Sequence, residues 1–157
     1  MTYTQSPPLT EEEIESLIRK AKIARFCSFN ADGTIHAVPV WYEYKDGRIT
    51  VATPSSSRKA KNVRRDTKVT LLIDISEGGV QPKGVIIYGK ADPDRMTDLQ
   101  IDEAISLCER YMSRDKAQSY AQGLLNLTRW VKIVVVPEHM SSFDYEKDIA
   151  YKTAVGE

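Results

Sequence analysis

The sequence predicts a mainly β protein, built as an antiparallel β-barrel with helices attached at the start and near the end. Two observations and one physical argument support this prediction. About six short segments rich in valine, isoleucine and aromatic residues alternate with turn residues. Tight turns at Asn30–Gly33 and Lys45–Gly47 join the early segments directly, which is typical of antiparallel pairing. Closing such a sheet would remove its exposed edges, which favours a barrel.

The first half of the chain predicts a helix and then a three-stranded meander. Thr10 and Glu13 form a capping box at the start of an amphipathic helix that runs to about Lys22. The turns noted above then separate three β-prone segments, which we expect to pair in order as Ile23–Phe29, Thr34–Tyr44 and Arg48–Thr53.

The second half predicts three more strands and two helical regions. Ser57 is a suitable N-cap for a short helix ending at Arg65. A helical stretch from Pro93 breaks near Ser113 and continues through Leu125. The expected strands are Val69–Ile75, Lys83–Ala91 and Leu127–Val136, the last of them stopped by Pro137.

Composition narrows the class of protein. The chain has 157 residues, which fits a single domain over 1–157, with 1–9 as a flexible N-terminal segment. Lysine plus arginine and aspartate plus glutamate both count 22, so no nucleic-acid partner is expected. We expect no membrane partner either, because no apolar run reaches the length of a spanning helix. Cys27 and Cys108 do not make a disulfide framework, which favours the cytoplasm.

The segment from Thr53 to Arg65 carries the strongest chemical signal. Three serine hydroxyls, at 55 to 57, precede Arg58 and Lys59 at the start of the predicted helix. Helix N-termini offer unpaired N–H groups and partial positive charge, and adjacent cations complete a phosphate site. A solvated basic helix with a serine cap is the alternative interpretation.

The strand before it contains a proline. Pro39 lies within His36–Trp41, and a strand tolerates proline at an edge, a bulge or an end. Such a strand leaves backbone groups free for another partner, and a flat heterocycle with hydrogen-bonding edges is one. The alternative is a plain edge strand.

Taken together, four segments resemble the pyridoxamine 5′-phosphate oxidase family. They lie in the family's order at Gly47–Thr53, Ser57–Ala60, Val69–Leu72 and Gly89–Ala91. The resemblance is close over about residues 10 to 92 and looser over the final strand, Trp130 to Val136. It implies a six-stranded split β-barrel of the FMN-binding type, forming a homodimer with flavin at the subunit interface. By position, the family's phosphate-binding residues fall at Thr53, Ser57, Arg58 and Lys59, and those along the flavin ring at Val38, Pro39, Val40 and Trp41.

Several positions depart from the vitamin oxidase itself. His36 and Trp41 stand where that enzyme has arginine and lysine, and Gly84 stands where it has a flavin-contacting glutamine. Its C-terminal arginine–histidine substrate signature has no counterpart in Phe143–Glu157. Pro39 and Trp41 also resemble the branch that binds deazaflavin.

The resemblance therefore implies an FMN-dependent oxidoreductase acting on a small-molecule substrate or electron donor. Two alternatives stay open: a deazaflavin (F420)-dependent reductase, whose acidic tail would need the basic groove of Lys61, Arg64 and Arg65, and a flavin-binding module without turnover. We expect no metal site, since His36 and His139 are far apart in the sequence. Trp41 and Trp130 are interpreted mainly as packing residues with a possible contact to the cofactor ring.

Overall fold

A seven-stranded antiparallel sheet with flanking helices forms the described part of the protein, residues 7–76, 79 and 81–156 of a computed structural model. The strands are β1 (Ala24–Phe29), β2 (Ile35–Val40), β3 (Glu43–Lys45), β4 (Arg48–Pro54), β5 (Lys68–Ile75), β6 (Lys83–Ala91) and β7 (Trp130–Asp144). The helices are α1 (Glu11–Lys20), α2 (Arg58–Arg65), α3 (Ile101–Glu109), α4 (Arg114–Leu127) and α5 (Ile149–Val155). The mainly β class with attached helices is confirmed, while the expected count of six strands is corrected to seven.

Both hairpins of the predicted meander form, β1 with β2 and β3 with β4, but the expected strand Thr34–Tyr44 is two strands with different partners. The sheet order is β2-β1-β5-β6-β7-β4-β3, so β2 lies at one edge and β3 at the other. Tyr42, between them, is fully buried, and its hydroxyl lies 2.5 Å from the Ile18 carbonyl and 2.8 Å from the Ala21 carbonyl. Because this phenol is buried at the end of α1, the backbone at Tyr42 leaves the hydrogen-bonded sheet and the strand ends there.

A link of two residues, Trp41 and Tyr42, therefore joins the two edges of the sheet. Three peptide units hold the Cα atoms of Val40 and Glu43 within about 11 Å of each other. The sheet must curl for its edges to approach so closely. Within the described ranges no hydrogen-bonded ladder joins β2 to β3, so the barrel has a seam at this point.

Two apolar clusters stabilise the fold. The larger fills the curled sheet with fully buried side chains, among them Phe26, Leu71, Ile73, Ile87 and Ile133. The smaller lies under α3 and α4 and consists of Leu99, Ala104, Cys108, Ala117 and Ala121, with Trp41, Ala52 and Trp130 packed against it. The second cluster thus attaches the helical pair to the barrel beside the link.

Pro137 does not end the last strand, as the sequence analysis expected, because the ladder is irregular at that residue. The β6–β7 register shifts between Tyr88 and Gly89, and Pro137 lies opposite Gly89. A bulge of this kind accommodates a residue that has no N–H to donate. A Cβ on Gly89 would lie 2.4 Å from the Val136 carbonyl oxygen, so the close approach of the two strands requires glycine.

The N-terminal segment meets the last strand. Of the residues 1–9 expected to be flexible, 1–6 lie outside the described residues. The Leu9 N–H donates to Ser142 Oγ at 2.9 Å, and Pro7 accepts from the Asp144 N–H at 3.2 Å. Among the residues described, none of the helices combines the length and the apolar character that crossing a bilayer requires.

Candidate functional site

The start of α2 is organised by two hydroxyls. Ser57 caps the helix, accepting from the Ala60 N–H at 3.2 Å, as the sequence predicts. Thr53 is buried at the end of β4 and donates its hydroxyl hydrogen to Ser57 Oγ at 2.9 Å. Because Ser57 accepts both bonds, its own hydroxyl hydrogen is still available to an anion. The N–H groups of Arg58 and Lys59 are also available, being the first two of the helix.

Two cations extend from this helix start, and they differ in environment. Arg58 is exposed, whereas Lys59 is half-buried and lines an adjoining cavity. Burial lowers the pKa of the Lys59 ammonium from its ordinary value of 10.5. Within the described ranges no carboxylate lies within ion-pair distance of either side chain. A positive charge held partly out of water without a counter-ion favours binding of an anion.

The cavity beside Lys59 has a volume of about 220 Å³. Its barrel side contains five of the predicted site residues: Pro39, Val40, Trp41, Thr53 and Lys59. Its other side is formed by the helical pair and the start of β7, through Leu99, Ala104, Leu107, Cys108, Tyr120, Leu124 and Trp130. The structure thus joins an apolar, aromatic chamber to a basic helix start.

Three predicted residues lie outside the cavity wall. Val38 is partly buried and packs against the barrel core. Ser57 contacts the wall through its bond with Thr53, and Arg58 extends into solvent. Pro39 lies on an edge strand, one of the positions that the sequence analysis allowed for a strand proline.

The helical wall of the cavity was missing from the sequence analysis. The sequence analysis predicted the helical stretch that contains α3, but no local pattern indicated that Ala104 and Cys108 would share a cavity with β4. Trp130 also lines the cavity, and its indole N–H is buried with no acceptor among the described residues. These contacts are between residues far apart in sequence, so only the folded topology brings them together.

The remaining basic residues of α2 are already engaged. Arg64 donates to the Ser55 carbonyl at 2.7 Å and to its hydroxyl at 2.9 Å. Arg65 donates to the Phe29 carbonyl and to the buried Asn62 side chain. Both guanidinium groups therefore fasten α2 to its neighbours, while Lys61 is exposed.

Gly84 cannot accommodate the glutamine that the resemblance places there. It is buried in β6 between Asp74 and Phe143. An added Cβ would lie 2.9 Å from Asp74 Cβ, from the Ile73 carbonyl oxygen and from Phe143 Cζ. Packing at this position therefore excludes any larger side chain without rearrangement.

The histidines and cysteines contribute little to the site. The described residues contain no group of three or more potential metal-ligating side chains. His139 stacks on Tyr88 with ring centroids 5.8 Å apart. Cys27 and Cys108 are free thiols whose pKa values are raised by burial, and Cys108 contributes to the cavity wall.

Solved structures share this fold. The conserved hypothetical protein Rv2991 from Mycobacterium tuberculosis is 24% identical, with a TM-score of 0.73 over 94% of this chain and 91% of that one. An FAD-binding protein from Mesorhizobium loti is 20% identical, with a TM-score of 0.59 over 87% and 93%. An F420 reductase is 17% identical, with a TM-score of 0.61 over 84% and 98%. The architecture is that of a split barrel.

A comparison with curated proteins found no match. The family model described as pyridoxamine 5′-phosphate oxidase matches residues 10–133. The matched residues include the six strands β1 to β6, the beginning of β7 and every predicted site residue. The chain therefore belongs to the pyridoxamine 5′-phosphate oxidase family.

Proposed function

We propose that this protein is an FMN-binding oxidoreductase, a single-domain cytoplasmic homodimer that reduces or oxidises a small molecule. The observation that carries the proposal is the junction of an unpaired, half-buried Lys59 ammonium at a helix start with an apolar cavity. That combination fits a ligand with an anionic end and a flat apolar end. FMN is such a ligand, and family membership makes it the leading candidate.

The phosphate end of FMN would bind at the start of α2. Ser57 has a hydroxyl hydrogen to donate, and the first N–H groups of the helix have no acceptor within the helix. Lys59 and Arg58 would neutralise the phosphate charge through charge-assisted hydrogen bonds. Thr53, whose hydroxyl is used by Ser57, would orient that donor.

The ring end would occupy the cavity between the barrel and α3–α4. Most of the lining is apolar or aromatic, with Trp41, Tyr120 and Trp130 offering flat surfaces. The unpartnered indole N–H of Trp130 indicates where the cavity has hydrogen-bonding capacity left over. Flavin supplies the hydride or electron transfer itself, and the protein holds the ring and limits access to it.

A second subunit would complete this site. The cavity of about 220 Å³ is smaller than the roughly 300–1,000 Å³ of typical ligand pockets. The outer face of β1, β2, β5 and β6 exposes apolar side chains: Phe29 is 39% exposed, Ile35 66% and Tyr88 42%. An exposed apolar face and a cavity smaller than a typical ligand pocket together support a two-fold dimer with two equivalent flavins.

The deazaflavin alternative needs a longer basic groove for its acidic tail. Lys61 is exposed and able to serve, but Arg64 and Arg65 already hold Ser55, Phe29 and Asn62. That engagement supports FMN over F420, although a solved F420 reductase shares the fold. A flavin-binding module without turnover has the same site and differs only in reactivity.

The visible absorption spectrum of the purified protein tests the proposal. Oxidised flavin gives two bands and a yellow protein, whereas deazaflavin gives a single band at shorter wavelength. If the purified protein is colourless, it is titrated with FMN and with F420, and the fluorescence of each cofactor is followed. Failure to bind either cofactor would refute the proposal. A loaded protein that no nicotinamide and no partner reductase reduces would be a binding module.

A further inference from the structure

Trp41, which lines the candidate ring cavity, has its indole stacked on Tyr111. The ring centroids are 4.3 Å apart and the planes are 8° from parallel. The ring of Tyr120 lies 5.8 Å from the indole at a tilt of 41°. Tyr111 itself is absent from the lining of the cavity. A residue outside the cavity lining is therefore stacked on a residue that belongs to it.

The Tyr111 hydroxyl bonds to the backbone next to that indole. It accepts from the Tyr42 N–H at 3.0 Å and donates to the Tyr42 carbonyl oxygen at 3.2 Å. Tyr42 lies in the link between β2 and β3, where the sheet provides no partner for these groups. One side chain therefore stacks on Trp41 and also bonds to the peptide groups on both sides of Tyr42.

The corner between α3 and α4 is itself held in place. Arg110 donates to the Tyr42 carbonyl and, at 3.2 Å, to the Ala21 carbonyl, and its guanidinium lies 4.6 Å from the Tyr42 ring centroid. Lys22 donates to the Arg110 carbonyl at 2.7 Å. Tyr111 thus lies in a turn that hydrogen bonds hold against the end of α1.

We propose that Tyr111 is a positioning residue that acts through Trp41, fixing the indole as the rigid wall of the ring site without contacting the ligand. The inference rests on the proposed function for its ligand, but the position of Trp41 is testable without any ligand. Loss of the Tyr111 hydroxyl should loosen the link, and loss of the whole ring should also free the indole to rotate.

The first test measures the indole alone. The chain has two tryptophans, so Trp130→Phe leaves Trp41 as the only tryptophan reporter. In that background, acrylamide quenching of Trp41 should rise about twofold in Tyr111→Phe and further in Tyr111→Leu. Tyr44→Phe is the matched control, since it removes a tyrosine hydroxyl bonded to Glu15 outside the cavity, and it should leave quenching unchanged. Equal quenching in all variants would overturn the proposal.

The second test measures the action through Trp41. Tyr111→Phe should raise the Kd for FMN about fivefold, the effect of losing roughly one net hydrogen bond. In a Trp41→Ala background the same substitution should have no effect, because the residue through which it acts is gone. An equal effect in both backgrounds would refute positioning through Trp41. Should the wild type not bind FMN, the proposed function fails while the quenching result still decides the role of Tyr111. Tyr111→Phe carries both tests if Tyr111→Leu does not fold.

Discussion

Replacing Lys59 by methionine should weaken the binding of FMN and should raise the stability of the cofactor-free protein. Methionine keeps an unbranched apolar stem of similar length but has no charge, so the cavity wall is preserved. Only the ammonium group is lost, and in the described structure that group has no counter-ion.

The expected loss of affinity follows from one charge-assisted hydrogen bond. Such a bond contributes about 1.5–3 kcal/mol. At about 1.4 kcal/mol for each tenfold change, Lys59→Met should raise the Kd for FMN by about 10- to 150-fold. Titration followed by flavin fluorescence measures this change directly. Lys61→Met removes the same charge from an exposed position of the same helix and should weaken binding less than about threefold.

The free protein should become more stable. Burial lowers the pKa of Lys59 in the folded state, so the unfolded chain binds more protons between that pKa and the ordinary value of 10.5. Stability of the wild type therefore rises with pH across this window, because the penalty on the buried charge disappears as the group deprotonates. Lys59→Met lacks the penalty at every pH. Its Tm without cofactor should exceed that of the wild type at pH 7, and the difference should shrink as the pH approaches 10.5.

Two results would refute this reasoning. Equal loss of FMN affinity in Lys59→Met and Lys61→Met would show that general charge, rather than a positioned ammonium, attracts the ligand. A Tm of cofactor-free Lys59→Met below that of the wild type would show that Lys59 stabilises the fold through a contact other than one with an anion. Circular dichroism of both variants controls for changes in fold.

The remaining predictions concern the ring end, the assembly and the irregular ladder. Trp41→Ala should change turnover with NADH or NADPH more than it changes flavin affinity, and a fall in affinity at unchanged turnover would contradict the assigned position. Light scattering should give a dimer, whereas a monomer that binds flavin tightly would exclude the shared site. Gly89→Ala should cost about 1–3 kcal/mol of stability by forcing the Val136 carbonyl away, and Gly123→Ala, in open space within α4, should gain about 0.5–1 kcal/mol. Thermal melts of this pair check the sign of each change.

Local sequence patterns predicted much of the secondary structure. The capping box at Thr10 and Glu13 forms as expected, with the Thr10 N–H donating to the Glu13 carboxylate at 2.7 Å. The strand Lys83–Ala91 has the predicted bounds. These elements depend on neighbours within a few residues, which is the range over which capping and alternation act.

The errors lie where distant contacts override local preference. Residues 34–44 look continuous because valine and aromatics dominate, yet Tyr42 is drawn under α1 and splits the strand. Pro137 predicts a strand end, yet Gly89 across the ladder makes room for it. Neither partner can be identified from the segment itself, since each lies more than 20 residues away.

The candidate site likewise has a part that local sequence predicts and a part that depends on distant contacts. The cap at Ser57 and the place of Arg58 and Lys59 at the helix start were predictable, because the three residues are consecutive and capping is local; that they bind an anion stays a prediction. The lining of the cavity was only half predictable, because its helical wall comes from α3 and α4. Sequence alone therefore identified the charges but not the shape of the chamber.

The short link of Trp41 and Tyr42 connects the seam of the barrel to the wall of the cavity, so the two must move together. If β2 and β3 separate, Trp41 must move, and the chamber that it closes must change volume. A ligand that presses on the indole should consequently protect amide hydrogens in both edge strands from exchange, although five other strands lie between them in the sheet. Hydrogen exchange in β2 and β3 would thus report ligand binding, although these two strands are the furthest apart in the ladder.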